Sequence, residues 1–389
     1  MDPGNEGRGA RTTMRAEYSR TMARKGKAVI ARELNKPVVV EEVTFDAPAA
    51  GEVVVKIAAV GVCHSDLSGT NGTIALPLPL ILGHEAAGTV IELGEGVTDL
   101  AIGDHVVANW IYMCGSCHYC KIDRPVLCDQ QGKALFTMFD GTSRTRDAAG
   151  SAINVFSGVG VMAEYAVVHQ RNLVKYDGRV PADRAALVGC AVTTGVGAAI
   201  NTAKVRPGTT CGVWGTGGVG LNVIQGCAIS GAARIFAIDT SEAKLEFART
   251  FGATDLIKTT PGEDLTKQLK KLTGGGLDYA FECVGSGEVA AAAYKAIRRG
   301  GLAVVVGVAP ASASTTVVTR SLPFEEKTLT GSYFGSARPR EDFPRMLALY
   351  ADGKLKLDEL ITHRYTIDEA PLAFADLEAG KNARGVIVF

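Results

Sequence analysis

The chain carries no net charge: 41 Lys and Arg offset 41 Asp and Glu. It therefore lacks the basic stripe that a nucleic-acid or anionic-membrane surface requires, and neither partner is expected. Aromatic residues are scarce, at 6%, whereas glycines number 46. That balance disfavours an all-β sandwich and suits an α/β chain with tight strand-to-helix turns. No apolar run approaches the ~20 residues that cross a bilayer; the longest, "GLAVVVGVAP", covers 301–310. Internal repeats, low-complexity tracts and a secretory apolar segment are also missing. The nine cysteines are therefore expected to be reduced, in the cytoplasm, where clustered thiols bind metal more often than they cross-link. At 389 residues the chain exceeds one average core, so two or three domains are expected.

Residues 1–26 read as a flexible, Gly/Arg-rich extension, with Met14 and Met22 as alternative starts. Asp2, Glu6 and Glu17 spoil the acid-poor pattern of an organelle-targeting peptide. Strand and turn signals ("KAVIA", "GEVVVKIAAVGV", "AAGTVIELG", "GDHVVA", "AEYAVV") then predict a β-rich domain over 27–191. Between 192 and 333 short apolar strands alternate with helical patterns, which predicts a doubly wound parallel sheet. Two amphipathic helices and the strand "GVIVF" follow in 334–389 without a sheet of their own, and are expected to return to the first domain.

"TTCGVWGTGGVGLNVIQ" places Gly215-x-Gly217-x-x-Gly220 between a predicted strand and a predicted helix. Such glycines allow a tight turn and close backbone approach, and the helix N-terminus offers N–H groups to a pyrophosphate. A second strand, "ARIFAID", ends in Asp239, whose carboxylate suits ribose hydroxyls and would repel a 2′-phosphate. NAD is favoured over NADP. Lys244, one turn into the next helix, either reaches the ribose or belongs to a solvated face.

Metal-ligand chemistry is concentrated in four places. "GVCHSDLSG" holds Cys63, His64, Ser65 and Asp66; "LGHEAAG" holds His84 and Glu85; "LVGCAVTTGVG" holds Cys190 and Thr194. Each potential ligand follows a strand-like or loop segment, and two thiolates with one imidazole are a set that catalytic zinc uses when a fourth position stays open. The fourth place is "CGSCHYCKIDRPVLC", where Cys114, Cys117, Cys120 and Cys128 are spaced C-x2-C-x2-C-x7-C. That spacing can wrap one tetrahedral zinc; a disulfide, a redox pair or a nucleic-acid knuckle are the rival readings.

"GVCHSDL", "GHEAAGTVIELGEGV", the four-cysteine stretch, "GCAVTTGVGAA" and "GTGGVG", in this order, resemble the zinc-dependent alcohol dehydrogenases of the medium-chain dehydrogenase/reductase superfamily. The resemblance runs from about Lys27 to Phe389, and "DGTSR" (140–144) with the long stretch between Cys128 and Glu164 is similar to the long-loop, typically dimeric branch. It implies a GroES-like catalytic domain (27–191 and 334–389) with a structural-zinc lobe (111–130), a Rossmann NAD domain (192–333), and a homodimer. It further implies a catalytic zinc on Cys63, His84 and Cys190, with Asp66 orienting His84 and Glu85 available as a transient ligand. Ser65, beside the metal, would relay the alcohol proton, and Thr194 would line the alcohol site. His64, Gly215, Gly217, Gly218, Val219, Gly220, Asp239, Lys244, Val306 and Arg384 would contact NAD. Ile74, Trp110 and Val308 would line the alcohol pocket, although Trp110 also reads as core and Arg384 as surface. Zinc-bound alkoxide formation and hydride transfer to the nicotinamide would interconvert a primary alcohol, aliphatic or aromatic, and its aldehyde.

Four positions bear on how closely the sequence follows its relatives. Ser68 stands where several of them end the proton relay in His, and serine is no base near pH 7. His64 occupies a position that takes Arg or His against the pyrophosphate. Ile74 and Gly132 replace the acidic residue and arginine with which the glutathione-dependent formaldehyde dehydrogenases hold S-hydroxymethylglutathione, so that activity is the second reading. An alcohol dehydrogenase with tightly bound NAD, a member without catalytic zinc, and a zinc-knuckle binding module are further alternatives.

Overall fold

The computed structural model describes residues 23–389. Most of the expected N-terminal extension lies outside them. Arg24, Lys25 and Gly26 do not belong to it: they pair with Phe45, Thr44 and Val43 in the first hairpin. The last three positions of the extension are therefore strand.

In the first part the strands are β1 (Arg24–Ala31), β2 (Val39–Phe45), β3 (Glu52–Val62), β4 (Leu80–Ile81), β5 (Ala86–Leu93), β6 (His105–Ala108), β7 (Thr145–Arg146), β8 (Asn154–Val155), β9 (Tyr165–His169) and β10 (Leu173–Tyr176). The middle part contributes β11 (Thr210–Trp214), β12 (Arg234–Asp239), β13 (Asp255–Lys258), β14 (Leu277–Glu282), β15 (Ile297–Val305) and β16 (Thr328–Gly331). The chain ends with β17 (Ile361–Tyr365) and β18 (Arg384–Val388).

Three sheets result. One runs β7-β2-β1-β4-β8, and a second runs β10-β6-β5-β3-β18-β17 with β9 also on β3. β18 pairs antiparallel with β3, so the C-terminal segment does return to the first domain. β3 is buried along almost its whole length because strands and helices cover both its faces, which explains the apolar run "VVVKIAAVGV", interrupted only at the exposed Lys56. The third sheet is entirely parallel, in the order β13-β12-β11-β14-β15-β16. Its order reverses between β11 and β14, and ligands of doubly wound sheets bind outside the strand ends at such a point.

One element escaped the sequence reading. Ala182–Thr202 is a single helix, with π-type turns at Val188–Val192 and Ala198–Thr202, and the expected boundary at 191/192 falls inside it. Its mean hydropathy of 1.4 would suit a membrane, yet 78% of it is buried within the fold. Gly and Thr give it poor intrinsic propensity; packing selects the helix instead. A Cβ on Gly195 would sit 2.5 Å from Asn222 Cβ, and one on Gly226 would sit 2.8 Å from Ala199 Cβ. Glycines thus let this helix press against Gly218–Ile229 and tie the two domains into one core that includes Leu187, Val196, Val223 and Phe281.

Candidate active site and metal centres

Cys63 follows β3 and caps the short helix His64–Thr70. His84 and Glu85 follow β4 through Gly83, whose φ of +89° and close approach to Met162 exclude a side chain. Cys190, expected to follow a strand-like or loop segment, lies in the first π-type turn of the long helix; such turns often re-aim functional side chains. The three ligand atoms lie within 4.8 Å of one another, all on buried residues. His84 Nε2 is 3.3 Å from Cys190 Sγ. Zn–N and Zn–S bonds of about 2.0 and 2.3 Å in a tetrahedron require a similar separation, about 3.5 Å.

Asp66, fully buried, orients the imidazole. Its Oδ1 lies 3.3 Å from His84 Nδ1 and accepts the Gly83 N–H at 2.8 Å. Burial would lower the His84 pKa, but Asp66 and Cys63 outweigh it and raise it to about 10. A hydrogen bond from Cys190 holds the Cys63 thiol well below its usual range against the effect of burial. The trio therefore attracts positive charge, and a divalent cation would displace its protons. Thr194 faces the Cys190 sulfur; Ser65 and Ser68 lie half-buried on the His64–Thr70 helix. Glu85 is fully buried, pressed between Gly61 and Gly189, and ion-paired with Arg384 of β18.

The four cysteines form the other cluster found among the described residues. Cys114–Cys120 and Cys117–Cys128 sulfur separations are both 3.9 Å, close to the ~3.8 Å edge of a ZnS₄ tetrahedron and far from a disulfide. Main-chain N–H groups of Ser116 and Cys117 point at Cys114 Sγ and, against burial, bring that thiol down to about 6. His118 begins the helix His118–Lys121 and packs edge-on against Tyr119, outside the sulfur cluster.

The glycine-rich turn divides its labour. Gly215 needs its φ of +86°; a Cβ on Gly220 would overlap the Gly215 carbonyl; Gly217 faces open space, and Gly218, beginning the helix with Val219, packs on Arg384. Asp239 Oδ2 accepts the N–H and the hydroxyl of Thr216 at 2.8 and 2.9 Å. Arg384 is 4% exposed, and its Nε has no hydrogen-bond partner among the described residues. His64 lies near both Arg384 and Lys244; burial first, then these two cations, lower its pKa. An open glycine edge, a helix N-terminus and three basic residues fit a pyrophosphate.

Aromatic rings cluster beside His84. Phe156 lies 5.3 Å and Trp110 6.3 Å from its ring, both edge-on, while Tyr333 and Phe334 pack on Trp110 at 5.5 and 4.8 Å. Ile74 is half-buried, with its N–H on the Ser68 carbonyl. Val306 is buried; Val308 is 72% exposed beyond the end of β15.

Two family models match the chain: the alcohol dehydrogenase GroES-like domain over residues 49–178 and the zinc-binding dehydrogenase over 218–352. An alcohol dehydrogenase zinc-binding domain protein from Burkholderia ambifaria is 32% identical, with a TM-score of 0.90 over 94% of this chain and 99% of that one. Benzyl alcohol dehydrogenase from Acinetobacter calcoaceticus is 31% identical, with a TM-score of 0.86 over 94% and 99%. The chain belongs to the zinc-dependent alcohol dehydrogenases of the medium-chain dehydrogenase/reductase superfamily. A zinc-binding dehydrogenase from Sinorhizobium meliloti 1021, bound to NADP, shares its fold at 23% identity and a TM-score of 0.77.

In this zinc alcohol dehydrogenase, the structure gathers the expected ligand set, His64 with Lys244 and Arg384, and Trp110 with His84. Phe156, Tyr333 and Phe334 escaped the sequence reading. Tyr333 and Phe334 follow β16 at the carboxyl end of a parallel strand, where ligands gather; that placement was their only signal. Phe156 lies in a short 3₁₀ turn with no local motif.

Proposed function

We propose that this dehydrogenase oxidises primary alcohols, aromatic ones foremost, to aldehydes with NAD⁺, and that it holds two zinc ions. Cys63, His84 and Cys190 would hold the catalytic ion, which polarises a bound hydroxyl when present. Cys114, Cys117, Cys120 and Cys128 would hold the structural one. Asp66 keeps the His84 ring in place. Ser65 takes the hydroxyl proton and passes it toward solvent, while Gly215–Gly220, Arg384, Lys244 and His64 seat the cofactor. One hydride leaves the carbinol carbon for the nicotinamide, and one proton leaves the oxygen. NAD rather than NADP rests on Asp239, whose carboxylate would face a 2′-phosphate.

The observation that carries the substrate class is the aromatic cluster in which Phe156 and Trp110 flank His84 and Tyr333 and Phe334 pack on Trp110. Flat rings offer edge and face contacts worth about 0.5–1.5 kcal/mol each to an aryl substrate. The benzyl alcohol dehydrogenase of Acinetobacter calcoaceticus shares 31% of the sequence. Ile74 is apolar, and no side chain projects from Gly132 into the open space around it, so neither offers a charge to a glutathione adduct. A homodimer in the cytoplasm completes the proposal: Val318 and Phe324 are 67% and 72% exposed near edge strand β16, an apolar surface suited to a second copy. NADH formation from a panel of benzylic, linear, secondary and glutathione-adduct alcohols tests the reading. Benzylic alcohols should give the highest kcat/KM; a preference for secondary alcohols or the glutathione adduct would replace it.

A further inference from the structure

One buried hydroxyl has had no part in the site so far. Thr193 is fully buried in the long helix, three residues after Cys190. Its Oγ1 donates to the Val188 carbonyl at 2.6 Å, and the sulfur of Met346, on the helix Pro339–Ala351, packs 3.3 Å from the same oxygen. Its main-chain N–H donates to the Cys190 carbonyl. Thr193 is thus bonded both to the ligand cysteine and to the residue two positions before it.

The reach of this hydroxyl decides what it selects. In an α-helix a threonine hydroxyl bonds the carbonyl three or four residues back. Here the acceptor is five back, across the π-type turn Val188–Val192 that carries Cys190, so the bond belongs to the wide form of the turn. Tightening that turn to α geometry would shift one flank by one residue, a rotation of about 100° and a rise of about 1.5 Å. The turn has little room to adapt on its other side. A Cβ on Gly189 would lie 2.9 Å from the Ala108 carbonyl and 3.1 Å from Glu85 Cα, so the backbone beside Cys190 rests on the segment that carries His84 and Glu85. From that seat Cys190 Sγ comes within 3.3 Å of His84 Nε2. Thr193 is itself anchored, because its carbonyl meets Gly335 so closely that a Cβ there would lie 2.3 Å away.

We propose that Thr193 is a positioning residue for the catalytic metal: its hydroxyl holds the Val188–Val192 turn wide, so that Cys190 Sγ meets the ion shared with Cys63 and His84. This rests on the metal reading of those three residues. A role in packing alone would need only the shape of threonine. Valine keeps that shape without the hydroxyl, and serine keeps the hydroxyl without the methyl group. The two roles therefore rank the same two variants in opposite order.

The test uses the full-length chain loaded with zinc, and again with Co²⁺ in its place. T193V should yield one zinc per chain to a chelator about 10–100-fold more readily than wild type, the usual cost of losing a group that orients a metal ligand. The visible bands of Co²⁺ held by two thiolates and an imidazole should shift, while those of the four-thiolate centre stay. T193S should retain zinc within about threefold of wild type and keep the wild-type Co²⁺ spectrum. A T193V protein that holds both metals as wild type does, or a T193S protein that loses zinc as readily as T193V, would make Thr193 a packing residue and overturn the proposal. Should T193V not fold, T193A against T193S isolates the same hydroxyl, and equal zinc retention by these two would overturn it as well. A wild type with no more zinc than Cys190→Ser would remove the metal reading instead, so the two failures are distinguishable.

Discussion

Asp239 and Thr216 are joined twice: the Asp239 Oδ2 atom accepts both the main-chain N–H and the hydroxyl of Thr216, at 2.8 and 2.9 Å. Asp239 Oδ1 meanwhile accepts the Ser241 N–H at 3.0 Å. The carboxylate proposed to select NAD therefore also ties down the glycine-rich turn. Asp239→Gly is expected to lower kcat/KM for NAD⁺ by about 10–100-fold, the value of one or two charge-assisted hydrogen bonds. It should raise NADP⁺ only relative to NAD⁺, because the loosened turn serves both cofactors less well. Kinetics with both cofactors check this; an unchanged ratio would remove Asp239 from cofactor selection.

The four-cysteine lobe lies apart from the chemistry but not from the fold. Arg171 donates to the Cys114 carbonyl at 2.6 Å, and Arg338 pairs with Asp123 at 2.9 Å, linking the lobe to β9's exit and to the helix Pro339–Ala351. Cys114→Ser should therefore release about one zinc per chain and lower the melting temperature by several degrees. The kcat of the protein that remains folded should change less than about threefold. Metal analysis and thermal melts decide it, and a large kcat loss at full stability would contradict the division of labour.

Ser68 sits half-buried on the His64–Thr70 helix, with its carbonyl bonded to the Ile74 N–H at 2.9 Å. Its hydroxyl cannot act as a base near neutrality. Ser68→His should raise the alcohol oxidation rate below pH 7 by a few-fold, well short of the ~10²-fold of a full general base. The pH–rate profiles of the two proteins provide the check, and superimposable profiles would exclude a relay through this position.

His169 supplies a pH effect away from the metals. Burial first, then Arg171, lowers its pKa to about 4, and its Nδ1 accepts the Arg171 N–H at 3.1 Å. An imidazole depressed in the fold binds its proton more readily when unfolded. Its contribution is thus complete above the unfolded pKa of about 6.5 and is lost as pH falls from there toward 4. Discounted for partial solvent access, the loss is about 1–2 kcal/mol. His169→Asn, which keeps an acceptor but does not titrate, should show a flatter decline of stability between pH 6.5 and 4. Urea midpoints across that range measure it, and parallel curves would refute the assignment.

The sequence was most informative where chemistry is local in the chain. Cys114, Cys117, Cys120 and Cys128 close one cluster within fifteen positions, and the Gly215 turn follows its strand directly, so spacing alone outlined both. Cys190 is expected to follow a strand-like or loop segment, whereas it lies within a helix that exists through contacts of Gly195 and Gly226 across the domain junction. The aromatic cluster is less legible still. Trp110, Phe156 and Tyr333 come from three distant loops, and only the fold gathers them, Trp110 and Phe156 against His84 and Tyr333 against Trp110.

The most direct test of the account compares wild type with Cys190→Ser for zinc content and for NADH formation from benzyl alcohol. The wild type should hold two zinc ions per chain and turn over. The variant should retain the structural ion, melt within a few degrees of wild type and lose at least about 10³-fold in kcat, since an altered ligand set disturbs the metal and its bound oxygen. A wild type with a single zinc, or a Cys190→Ser protein that keeps its activity, would contradict it.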